Sequence, residues 1–126
     1  MSNEILEVIK DLEGMEKDVK KLDYIDESKN SSSLSFKLSL VKGTLKMVDS
    51  EDLLDSMLRA SKSFYIRTLN IIDNTENHLD EIKCILINED EINEENLDYL
   101  DNCYEILNSA KRIMDEKMDE ISKEEV

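Results

Sequence analysis

The residues in this chain best equipped for chemistry are one histidine, two cysteines and a large surplus of carboxylates. His78 is the natural metal ligand or general base. A carboxylate-bridged metal pair held between helices needs two Glu-x-x-His motifs. Here Thr75 stands where the first glutamate belongs, and no other histidine exists to complete a second motif. Asp80 and Glu81 lie beside His78, as they would on any solvated helix surface. Acid pairs three apart recur at Glu13/Glu16, Glu91/Glu94 and Asp98/Asp101. Such pairs share a helix face and can hold Mg²⁺. Yet 31 of the 126 residues are acidic, so chance produces such pairs, and no cluster of Lys or Arg accompanies them to clamp a phosphate.

Cys84 and Cys103 raise the question of a nucleophile or a disulfide. In an antiparallel hairpin turning near residues 90–91, Cys103 comes level with His78. Cys84 then falls about 9 Å further along the axis, too far for a bond. A turn nearer 93–94 removes that objection, so reduced, buried thiols are the expectation and the spacing leaves the alternative open. The chain has no Ser/His/Asp set, glycine-rich phosphate loop, Cys-x-x-Cys pair or aromatic stacking platform. The reading is a protein that is not an enzyme, with no catalytic residue, no metal site and no cofactor.

The elements follow from composition and spacing. There is no proline and only Gly14 and Gly43, whereas sheet proteins need turn residues every ten or so positions. Aromatics make up 5% and tryptophan is absent, so the core is Leu, Ile, Val and Met. Ile5, Val8, Leu12, Met15, Val19 and Leu22 step by threes and fours and predict a helix over 3–27, ended by the polar run 28–33. Leu34, Leu38, Val41, Leu45 and Val48 predict a second over 34–48. The alternation from Leu34 to Leu40 also fits a strand, but a lone hairpin has no sheet to join.

A third helix is expected over 51–87, on the unbroken stripe Leu54, Leu58, Ser61, Tyr65, Thr68, Ile72, Thr75, Leu79, Ile82 and Leu86. Leu53, Met57, Ala60, Phe64 and Ile71 widen its apolar face, which marks it as central. It could also be continuous with the second helix. A fourth is expected over 94–123. The expected fold is therefore all-α: a single-domain antiparallel bundle of three to four helices with one long central helix.

The net charge of −15 repels nucleic acid and anionic membranes and favours basic partners. It is unevenly spread: residues 34–48 carry Lys37, Lys42 and Lys46 with no acid, while 89–126 carry fourteen acids against four bases. No apolar run is long enough for a membrane span, and Met1 to Lys10 lacks the basic and apolar regions of a secretory signal. Two cysteines are too few for a disulfide framework, so the expected compartment is the cytoplasm.

These features favour a protein–protein interaction module: an adaptor, assembly factor or small subunit that is a homo-oligomer or part of a complex. Cys84-Ile85-Leu86-Ile87 is apolar on every side of a helix, so Ile85, Leu86 and Ile87 are the expected partner interface. The alternative is an acidic mimic of nucleic acid that occupies a basic groove of a nucleic-acid enzyme. A metal-dependent helical hydrolase ranks third.

Overall fold

The structure, a computed structural model, describes residues 3–18, 33–48, 50–90 and 92–124. It is all-helical: 91% of the described residues lie in five helices, with no strand among them. These are α1 (Asn3–Asp18), α2 (Ser33–Val48), α3 (Leu53–Arg59), α4 (Lys62–Asn88) and α5 (Glu94–Glu124). The part of the first expected helix beyond Asp18 lies outside the described residues.

Four of the five helices bury the stripe their spacing marks out, and α3 is the exception. Ile5, Val8, Ile9 and Leu12 come from α1, and Leu34, Leu38, Val41, Leu45 and Val48 from α2. Helix α4 adds Tyr65, Ile72, Leu79, Ile82 and Leu86, and α5 adds Leu100, Cys103, Leu107 and Met114. Two threonines sit in the α4 stripe without stranding a polar group. Thr68 donates to the Phe64 carbonyl at 2.9 Å and Thr75 to the Ile71 carbonyl at 2.8 Å, each four residues back. Residues 34–48 are thus helical, and the strand-like alternation at Leu34–Leu40 yields to the demand for a buried face every third or fourth residue.

The helices form a closed circuit: α1 packs on α2 and α5, and α4 packs on the same two. Cross-links set their directions. Asp73 and Asp80 of α4 bond Lys111 and Tyr104 of α5, so advancing along one helix means retreating along the other. Glu4 and Met15 of α1 meet Arg112 and Tyr99 of α5 in the same reversed order. Lys37 of α2 meets His78, while Val48 lines one cavity with Tyr65, so α2 also opposes α4. The α4–α5 turn closes at Glu89 and Asp90, where Asp90 takes the left-handed conformation (φ 55°) that a short polar side chain tolerates.

One expectation fails. The stretch 51–87 is not a single rod; it breaks at Ala60 and Ser61 into α3 and α4. Ser61 leaves the helical region (φ −104°, ψ 134°), and its side chain caps α4 by accepting from the Ser63 N–H at 3.2 Å. Asp52 caps α3 in the same manner, accepting from the N–H groups of Leu54 and Asp55. With the break, α4 has 27 residues and α5, at 31, is the longest helix. Leu53, Met57 and Ala60 therefore do not widen a central face.

Candidate functional site

The polar residues that could do chemistry are dispersed rather than assembled. His78 is buried on α4, with Lys37 Nζ 3.1 Å from its Nδ1, so a donating ammonium faces the ring nitrogen. Among the described residues, no group of three or more His, Cys, Asp or Glu could hold a metal ion. Of the acid pairs, Glu16 is tied to Lys42 at 2.9 Å and Asp98 and Asp101 stand exposed on α5. Glu91 lies outside the described residues. The lysines of α2 thus spend part of their charge on the neighbouring α1.

Both cysteines are free thiols. Cys103 is buried, and the loss of solvent pushes its thiol up to about 12, far from a nucleophile's range. Cys84 is exposed rather than buried, because position 84 falls on the outward side of α4, between the buried rows of Ile82 and Leu86.

A polar seam runs between α4 and α5. Lys111 reaches Asp73 at 3.1 Å, and the Asp73 hydrogen bond raises the pKa of its ammonium. The Tyr104 hydroxyl donates to Asp80, and burial together with that bond lifts its pKa well above the ordinary value. Between them sits Glu76, whose Oε1 is buried with no hydrogen-bond partner among the described residues. Burial raises its pKa above 4.5; Lys111 opposes the shift, and Asp73 and Asp80 add to it. The seam ties α4 to α5 through these side chains.

The unusual surface is apolar. Leu53, Leu54, Met57 and Leu58 are 73%, 69%, 65% and 51% exposed, and α3 has no buried residue. Single exposed apolar side chains are ordinary, but three leucines and a methionine on one seven-residue helix are not. Beside them opens a cavity of about 400 Å³ between α2, α3, α4 and the end of α5. Val48, Tyr65 and Ile121 line its apolar side and Arg59, Lys117 and Glu120 its polar side. Arg59 donates to the carbonyls of Met47, at 3.3 Å, and Ser50, so it ties α3 to the end of α2.

The segment expected to face a partner divides. Leu86 is buried, Ile85 packs partly against the core, and Ile87 is 55% exposed. Sequence reasoning did not find the α3 surface, because its stripe continues the core rhythm of α4 without a slip. The available signal was Ser61 itself, a good cap residue in the stripe, though Thr68 and Thr75 occupy the same stripe without breaking the helix.

Among the described residues, no helix is long and apolar enough to cross a membrane. In comparison with known proteins, the chain matches no family model, no curated protein and no solved structure.

Proposed function

We propose that this chain is a non-enzymatic protein–protein interaction module, an adaptor or small subunit built as a single antiparallel helical bundle. The closed circuit of opposed helices supports the bundle. The observation that carries the function is the exposed apolar side of α3, with Leu53, Leu54, Met57 and Leu58 beside an open cavity. Folding stabilises a chain by removing such side chains from water, so leaving four outside favours a second surface to cover them. The net charge of −15 favours a basic partner, and two cysteines, too few for a disulfide framework, favour action in the cytoplasm. At the far end of α4, Ile87 offers a smaller contact, and Ile85 contributes its exposed edge.

The test is recovery of a protein partner from the native host. Wild-type chain is expected to retain it through a rise in salt, because apolar docking is not screened. The Leu54→Asp, Leu58→Asp double variant should lose it while keeping its helix content. Equal recovery by both proteins would contradict the reading.

A second reading has its own observation. The outward side of α5 exposes Glu94, Glu95, Asp98, Asp101 and Glu105 in succession. Such a ridge supports the acidic mimic of nucleic-acid phosphate that occupies a basic groove. On that reading binding weakens steeply with salt and ignores the α3 substitutions.

A further inference from the structure

Helix α3 has the pattern of a core helix and the exposure of a surface one. If α3 ran straight into α4, Leu54 and Leu58 would fall on the line of Tyr65, Thr68 and Ile72. Leu53 and Met57 would join the neighbouring row of Phe64 and Ile71. On α4 those rows face the core. A single residue keeps the two helices apart. Ala60 retains right-handed helical angles (φ −74°, ψ −9°), and only Ser61 is extended. Neither glycine nor proline stands at the break, so nothing in the backbone forbids a continuous helix. Arg59 is the second latch, through its bonds to Met47 and Ser50.

Straightening is impossible within one copy. Val48 and Tyr65 line the same cavity, and from a Val48 near the level of Tyr65 the straight helix would carry Leu53 twelve residues, about 18 Å, further along the axis. Adding the 8–10 Å between packed helices puts the two ends about 20 Å apart. Five residues of chain, fully extended, reach about 17 Å. Helix α2 must leave its seat, and α1, packed against it, goes too.

We infer that a second copy of this chain is the partner that covers α3, in a helix-exchanged dimer hinged at Ser61. Each copy straightens α3 onto α4 and lays its α1 and α2 on the α4–α5 pair of the other. The core contacts of one copy then re-form between two, and the α3 helices cross in opposite directions at the two-fold axis. Leu53, Leu54, Met57 and Leu58 cover their counterparts there. The crossing also places Glu51, Asp52 and Asp55, at the start of one α3, near Arg59 and Lys62 of the other. Four side chains alone fall short of the roughly 800 Å² per partner of a stable interface, and the exchanged helices make up the difference.

This inference goes beyond docking of a foreign protein and needs only the purified chain. The experiment is light scattering on wild type, Ser61→Ala and Lys62→Pro after concentration and slow annealing, with circular dichroism to confirm helix content. Ser61→Ala removes the cap that holds the bend and shifts each hinge about fivefold toward the straight form, or about 25-fold per dimer. Lys62→Pro suits the bend, because proline is favoured at the first helical position and keeps its predecessor extended. It forbids the straight helix.

The expected result is a dimer in wild type, more dimer in Ser61→Ala, and a folded monomer in Lys62→Pro. Monomers of wild type and Ser61→Ala at every concentration would overturn the inference, as would a dimer of Lys62→Pro. Monomers throughout would leave docking of a different protein on α3 untouched, so the two proposals fail separately.

Discussion

Two leucines on one stripe should respond to truncation very differently. Leu54 and Leu79 belong to the same run of threes and fours, yet Leu79 is fully buried and Leu54 is 69% exposed. Removing a fully buried leucine side chain costs about 2–5 kcal/mol, the transfer term plus a cavity. At Leu54 less than a third of the burial exists to be lost. Full burial is worth about 1.5–3 kcal/mol, so Leu54→Ala costs roughly 0.5–1 kcal/mol with no cavity term. For a domain of this size 1 kcal/mol moves the midpoint by about 4 °C. Leu54→Ala should therefore lower Tm by about 2–4 °C and Leu79→Ala by about 8–20 °C, read by far-ultraviolet circular dichroism on dilute protein. Urea unfolding supplies the same comparison through its midpoint, provided the slope is unchanged. Losses of equal size would refute the reasoning, since Leu54 would then be packed in the dilute chain.

Other outcomes follow from the seam, the glycines and the thiols. Glu76→Gln should stabilise the protein near neutral pH: the folded chain raises the Glu76 pKa, so wild type loses that group's stability as pH rises through the folded value, and the advantage of Gln should vanish below pH 4.5. Unfolding midpoints across pH check the sign. Gly43 lies inside α2 with open space where a Cβ would stand, so Gly43→Ala should raise stability by about 0.5–1 kcal/mol in thermal melts. A thiol reagent should modify exposed Cys84 promptly in the native state and reach Cys103, buried with its thiol pushed up to about 12, only on unfolding. Counting modified thiols over time decides it.

Most of the helical architecture was legible because period three-and-four stripes leave few alternatives in a chain without proline. Leu34, Leu38, Val41, Leu45 and Val48 are buried where that spacing puts them, as are Tyr65, Ile72, Leu79 and Leu86. The break at Ser61 was not legible, because periodicity reports which residues share a face and says nothing about chain reach. Whether α3 continues α4 depends on where α2 ends in space and on the link from Val48 to Leu53. The cap at Ser61 and the Arg59 bonds then favour the bent path. For the same reason the exposed surface was sought at Ile85–Ile87, where every residue is apolar. The core of the packed chain takes Leu86 and leaves Ile87 outside. The exposure of Cys84 and the lone Oε1 of Glu76 are likewise products of packing between α4 and its neighbours, which no local pattern records.

The central claim is that the apolar side of α3 is a contact surface, and site-specific photo-crosslinking in the native host addresses it most directly. A photoreactive residue at Leu54 or Met57, both well exposed on α3, should yield a discrete crosslinked product. The same group at Asn102, exposed on the polar side of α5, should not. A product of twice the chain's mass identifies a second copy, and any other mass a different protein. Absence of a product at both α3 positions, or an equal yield at Asn102, would contradict the account.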